Sequence, residues 1–214
     1  MQVTNEPMNR LSRIVAKAGV LIAISAGLAT SASAQLKNGE AAPDFTLKSA
    51  AGVDVKLSQY KGKTVVLEWF NNDCPYVKKH YDSGHMQKLQ EQAATEGTVW
   101  LTIVSSAPGE QGYVEAAAAQ KLVGERKAKM TAFLLDPKGE VGRRYAAKTT
   151  PHMYIIDAKG MLVYQGAIDS NSSSDPKTIS GATNYVTEAL RDLKAGQAVK
   201  AASTKPYGCS VKYK

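Results

Sequence analysis

The sequence predicts an α/β fold, and three observations carry the prediction. Short β-branched and apolar runs alternate with longer helix-forming stretches along most of the chain. The 214 residues, 43% of them hydrophobic and 7% aromatic, are enough for one core of ordinary size and one domain, or at most two small ones. No repeat with a period of roughly 20 to 50 residues is present, which excludes solenoids and propellers.

The elements follow in chain order. Arg10, Arg13 and Lys17 precede an apolar run from Ala18 to Ala29, and Ala32-Ser33-Ala34 follows it, the pattern of an export signal cleaved after Ala34. Its 12 residues, interrupted by Gly19, Ser25 and Gly27, fall short of the roughly 18 that a spanning helix needs, so no membrane span is expected after cleavage. The expected organisation is a signal over residues 1–34, a folded domain over 35–196 and a polar tail over 197–214. Phe45–Leu47 and Val53–Leu57 flank Ala51-Gly52 as a hairpin, and Thr64–Phe70 is a strong apolar strand. Pro75, whose missing N–H costs nothing at a first helical position, opens a helix expected to run to about Ala94.

Thr98–Val104 reads as a second strand, Tyr113–Lys127 as an alanine-rich helix, and Thr131–Leu135 as a strand closed by Asp136-Pro137. A short helix is expected over Glu140–Ala146, then a hairpin of Met153–Ile156 and Leu162–Tyr164 around Ala158-Lys159-Gly160. Asp169–Gly181 is rich in Ser, Asn and Asp and reads as a loop. Val186, Leu190 and Leu193 recur at helical spacing before Gly196.

Charge and cysteine content narrow the function. The net charge of +8 falls to +6 once the segment carrying Arg10, Arg13, Lys17 and Glu6 is removed. The lysines are scattered, with no basic block and no aromatic-interleaved stripe, so nucleic acid is not an expected partner. Two cysteines are too few for a disulfide scaffold or a four-cysteine zinc site, and enough for one bridge or one redox pair. An exported chain meets a disulfide-permissive compartment, of which a bacterial periplasm is the simplest.

Cys74 stands where the Thr64–Phe70 strand hands over to the Pro75 helix. Free N–H groups and the positive end of the helix dipole there favour the thiolate, the reactive form. Lys78 and Lys79 would add to this, and the neighbouring Asp73 opposes it. The residues Glu68-Trp69-Phe70-Asn71-Asn72-Asp73-Cys74-Pro75-Tyr76-Val77, the opening Ala41-Ala42-Pro43-Asp44-Phe45 with Leu57-Ser58 and Tyr60-Lys61-Gly62-Lys63, and the turn Thr149-Thr150-Pro151 resemble the thioredoxin superfamily. Within it the chain is most similar to peroxiredoxin-like redoxins of the alkyl-hydroperoxide-reductase and thiol-specific-antioxidant group that retain only the first cysteine of the CxxC pair, since Val77 stands at the second.

The resemblance implies a thioredoxin-like fold, a central mixed β-sheet flanked by helices, here with an N-terminal hairpin. It implies Cys74 as nucleophile in thiol–disulfide exchange or antioxidant chemistry, with Pro151 in a cis-proline turn facing it. Thr150, Pro151 and Trp69 would lie on the substrate side, the Thr150 backbone pairing with a partner polypeptide like a strand. Glu68, six residues before Cys74, is the candidate general base, with a partly exposed strand glutamate as the other reading. The peroxide-binding pattern of true peroxiredoxins is not met, because Leu67 and Asn71 occupy its proline and threonine positions when Cys74 is taken as the reacting cysteine.

Cys209, in Tyr207-Gly208-Cys209-Ser210, is the candidate resolving thiol, carried by a tail without packing signals. The alternative is a permanent staple, worth roughly 4 to 5 kcal/mol for so long a loop in the chain-entropy model. A third reading, a copper carrier, would use Cys74, His80 and His152, with His85 as bystander. Met86, Met153 and Met161 are read as core fillers. No cofactor is expected; the partners are a protein or small-molecule thiol or disulfide and a thiol reductant.

Overall fold

The computed structural model describes residues 1–2 and 36–214, so the expected export segment and its cleavage site lie outside the described residues. The first regular elements are the hairpin strands β1 (Thr46–Ser49) and β2 (Asp54–Lys56), paired antiparallel with Leu47 opposite Val55. The strand β3 (Val65–Trp69) is buried at all five positions. Its continuous apolar run, broken only by Glu68, suits a strand covered on both faces. Parallel β4 (Val99–Val104) and antiparallel β7 (His152–Ile156) flank it, β5 (Ala132–Leu135) runs parallel to β4, and β8 (Leu162–Gly166) closes the far edge. The order β2-β1-β5-β4-β3-β7-β8 makes one mixed seven-stranded sheet.

The period-2 alternation of β3 divides its side chains between two cores. Val66 and Phe70 join Trp100, Val104, Met153 and Ile155 beneath α1 (Pro75–Asp82), α2 (His85–Thr95), α3 (Ala116–Glu125) and α5 (Tyr185–Lys194). Val65, Leu67 and Trp69 face the other way, with Leu101, Ile103 and Tyr154, against Val141 of the short α4 (Glu140–Arg144) and Tyr145 just beyond it. Helices therefore flank a central mixed sheet, as the family resemblance implies.

Two expectations are corrected. The helix from Pro75 to Ala94 is two helices, because Ser83 returns its hydroxyl to the Lys79 carbonyl at 2.7 Å and Gly84 adopts φ +72°, which ends α1 and starts α2 in a new direction. The segment after Gly196, read as lacking packing signals, runs closely along the domain. The Gln165 N–H donates to the Ala202 carbonyl and the Gln165 carbonyl accepts from the Thr204 N–H, Val211 donates to Lys148, and Ala107 donates to Lys212. Near its end Tyr213 donates to the Ala147 carbonyl at 2.9 Å, beneath the Arg143 guanidinium. These contacts are non-local and join a polar backbone to a preformed surface, so no hydropathy pattern in residues 197–214 announces them.

Glycines on the domain make room for that segment. A Cβ on Gly166 would collide with Thr204, and one on Gly142 would strike the Tyr213 hydroxyl and come within 2.7 Å of Ser105 Oγ. Gly124, also helical, has open space around it. Gly142→Ala should therefore destabilise the chain by about 1–3 kcal/mol through overpacking, while Gly124→Ala stabilises it by roughly 0.5–1 kcal/mol. Urea midpoints measure both, and equal responses at the two sites would contradict the seated tail.

Candidate functional site

The loop leaving β3 is set by Asn71, whose Oδ1 accepts from the Asp73 N–H at 2.9 Å while its backbone carbonyl accepts from Cys74 N–H at 3.1 Å. Cys74 is thereby fixed as the N-cap of α1, with Pro75 at the first helical position. Its side chain has no exposed surface. The Thr150-Pro151 bond is cis, and the Thr150 carbonyl accepts from the Cys74 thiol, with Sγ 3.0 Å away. Thus the structure brings Cys74, Thr150 and Pro151 together from strand and turn segments 76 residues apart.

A short strand of the tail completes the site. β6 (Thr149–Thr150) pairs antiparallel with β9 (Cys209–Ser210), placing Cys209 opposite Thr150 and Ser210 opposite Thr149. The Thr150 backbone, expected to be open to a partner polypeptide, is occupied by the chain's own tail. Gly208 permits this: a Cβ there would collide with the Thr150 carbonyl. Both cysteines are free thiols, Cys74 buried and Cys209 partly exposed.

The two cysteines are neighbours through Thr150 and are electrostatically unequal. Burial pushes the Cys74 thiol up, but the side chains of Cys209 and Thr150 and the backbone of Cys209 and Val77 outweigh it, leaving Cys74 below the ordinary cysteine value. Cys209 is pushed up to about 11, by burial first and then by its hydrogen bond to Cys74 and the charge there. A single negative charge on the pair resides on Cys74, and Cys209 keeps its proton.

Glu68 is fully buried rather than partly exposed. Its carboxyl receives Trp100 Nε1–H at 2.8 Å, Thr102 Oγ1–H at 2.9 Å and the Tyr81 hydroxyl at 3.0 Å, with Gln90 Nε2 at 3.5 Å. Burial lifts its pKa to about 7, against the opposing pull of those donors. Trp69 occupies a different place from that expected. It has no exposed surface, lies on the opposite face of the sheet, donates Nε1–H to Ser105 Oγ at 3.0 Å and packs on Tyr145 and Tyr154. It is a core residue on the face away from Cys74, because consecutive strand residues alternate faces and Phe70, not Trp69, shares the Cys74 side.

The copper set is not assembled. His152 lies in β7 opposite Trp69, with its ring 4.5 Å from that of Tyr154 and Nδ1 accepting from the Lys148 N–H at 3.2 Å. His80 turns instead to His85, Nδ1 to Nδ1 at 2.9 Å. Burial holds both His80 and His152 at about 3, hence neutral. Among the described residues no group of three or more His, Cys, Asp and Glu side chains is arranged to hold a metal ion. His85 bridges His80 and Asn184.

Lys79 does not act on Cys74 as expected; it is buried and committed to Asp169, at 3.4 Å, and to the Asn171 carbonyl, at 2.9 Å. The Tyr207 hydroxyl donates to the other Asp169 oxygen at 2.5 Å. Sequence reasoning passed over Asp169 and Tyr207; the one signal for them is an aromatic residue directly before Gly-Cys in an otherwise polar tail.

The family model for Redoxin matches residues 37–184, and the chain belongs to that family. It is 29% identical over 127 residues to the "Thioredoxin-like protein YneN" of Bacillus subtilis, covering 59% of this chain and 69% of that protein. A "Probable glutathione peroxidase 2" of Arabidopsis thaliana is 24% identical over 155 residues, covering 56% of this chain and 91% of the relative. Among solved structures, a conserved protein from Geobacillus kaustophilus superposes with a TM-score of 0.70 at 26% identity, over 84% of this chain and 93% of its own. SMc02350 of Sinorhizobium meliloti 1021 superposes at 0.73 with 22% identity, over 84% and 96%. The chain is a thioredoxin-like redoxin, and the Redoxin match ends before Cys209.

Glu68 yields a pH prediction. Between its ordinary value of 4.5 and about 7 the folded chain holds a proton that the unfolded chain has released, so folding stability falls as pH rises through that window. The glutamate's share of this loss is on the order of 3 kcal/mol. Urea denaturation of wild type and Glu68→Gln at successive pH values should give a profile that declines more steeply for wild type. Parallel profiles would remove the buried proton from the account.

Proposed function

We propose that this redoxin is an exported thiol–disulfide oxidoreductase in which Cys74 is the nucleophile and Cys209 the resolving thiol. The observation that carries the reading is the pairing of Cys209 with Thr150, whose carbonyl meets the Cys74 thiol beside the cis-Pro151 turn. With the tail lifted at Gly208–Cys209, the Cys74 thiolate attacks one sulfur of a disulfide R–S–S–R′, forming Cys74–S–S–R and releasing R′–S⁻. The tail returns, Cys209 loses its proton and attacks the Cys74 sulfur, and the Cys74–Cys209 bridge forms as R–S⁻ departs. A thiol reductant then restores both thiols.

A carboxyl that burial lifts to about 7 suits Glu68 to exchange a proton near neutral pH in this reading. The thiolate preference of Cys74 and the high value of Cys209 suit nucleophile and resolver respectively. Exchange is preferred over peroxide reduction because Leu67 and Asn71 leave the peroxide-binding positions without their proline and threonine. Export rests on Arg10, Arg13 and Lys17, the Ala18–Ala29 run and Ala32-Ser33-Ala34, with a periplasm as destination. No helix among the described residues is long and apolar enough to cross a membrane.

Oxidised glutathione is the test substrate. Mass mapping should find the Cys74–Cys209 bridge in wild type, a stable glutathione adduct on Cys74 in Cys209→Ser, and at least about tenfold slower modification in Cys74→Ser. An unreactive Cys74 in both wild type and Cys209→Ser would sink the exchange reading. A bridge that excess glutathione cannot open would favour the permanent staple.

A further inference from the structure

Lys79 and Asp169 are both fully buried as a charged pair, an arrangement that is expensive unless further hydrogen bonds complete it. The completing groups come from three separate segments. Lys79 stands on α1, one turn beyond the Cys74 cap; Asp169 follows β8; and Tyr207, two residues before Cys209, supplies its hydroxyl to Asp169 Oδ1 at 2.5 Å. The Lys79 ammonium also lies 5.5 Å from the centre of the Tyr207 ring, and Tyr76 packs edge-on against the same ring at 5.8 Å.

The cluster continues inward in one consistent direction. Asn184 Nδ2 donates to His85 Nε2 at 3.4 Å, the two Nδ1 atoms of His85 and His80 share a hydrogen at 2.9 Å, and His80 Nε2 faces Asp169 Oδ2 at 3.8 Å. That last nitrogen has no closer partner. Asp169 also accepts from the Asn171 N–H through Oδ1 at 2.9 Å, so its carboxylate is held from every side and has no freedom to follow a moving tail. The tail instead comes to it.

We propose that the Lys79–Asp169–Tyr207 cluster is a latch that presents Cys209 to Cys74, which makes Tyr207 a positioning residue for disulfide closure. The geometry supplies the reason. Between Tyr207 and Cys209 lies only Gly208, pressed on the Thr150 carbonyl, so fixing the Tyr207 ring fixes the register of Cys209 opposite Thr150. Release of the tyrosine frees the same two residues and opens the way to Cys74, which has no exposed surface while the tail is seated. The chemical role given to Tyr207 rests on the exchange reading; its role as the fastening of the lid does not.

The test uses the full chain with Tyr207→Phe, which keeps the ring and removes only the hydroxyl. In the reduced protein, iodoacetamide should alkylate Cys74 about tenfold faster than in wild type, the change expected when a hydrogen bond to a charged group is lost. Closure of the Cys74–glutathione mixed disulfide by Cys209 should slow by a similar factor. Amide exchange at Leu67 and Leu101, in the sheet centre, should stay unchanged. Asp169→Asn, which keeps the shape and removes the charge, should shift alkylation and closure in the same directions.

Alkylation within twofold of wild type, or core exchange accelerated in proportion, would overturn the latch. Unchanged closure with faster alkylation would overturn the positioning role. A chain in which the Tyr207→Phe alkylation rises but wild type never forms the bridge would leave the latch standing and remove the exchange reading.

Discussion

The close approach of the Gly208 backbone to the Thr150 carbonyl is the constraint on which the rest of the site depends. Only a residue without a Cβ fits there, and that approach sets Cys209 opposite Thr150, whose carbonyl meets the Cys74 thiol. The approach is supported from both ends of the tail. Thr204 sits in the space left by Gly166, and Tyr213 in the space left by Gly139 and Gly142. A sheet edge normally satisfies its backbone with water or a partner chain; here two residues of the tail satisfy it. The same contact that buries Cys74 therefore also supplies its second thiol.

Two buried ionisable clusters flank this contact and do different things. Around Glu68, four neutral donors converge on one carboxyl with no cation among them, so burial dominates and the group holds its proton to about neutrality. Around Asp169, a buried ammonium compensates the charge, and the surrounding histidines stay neutral. One cluster can exchange a proton beneath the helices; the other holds a fixed charge that fastens chain to chain.

Much of the sheet was legible because each strand carries its own signal. Val65–Trp69, Val99–Val104 and Ala132–Leu135 are β-branched or apolar runs bounded by turn residues, and Cys74-Pro75 marks its helix start without help from the rest of the chain. The resemblance to redoxins placed Thr150 and Pro151 near Cys74. Trp69 was misplaced because a motif read in one dimension ignores the alternation of faces, and the tail was misread because its partners lie on glycines and carbonyls of the domain. His85 and Asp169 gain meaning only once the break at Gly84 and the loop after β8 bring them together. These are tertiary facts, and no local pattern encodes them.

The break at Gly84 and the 135-residue separation of Cys74 from Cys209 have a consequence for the order of assembly. Contacts so distant in sequence carry a large loop-closure entropy and form only after the local elements are in place. The tail docks on a surface built by β8, by α4 and by the turn at Pro151, and none of these exists before the sheet does. The thiol pair therefore exists only in a chain whose β8, α4 and Pro151 turn are already in place to receive the tail.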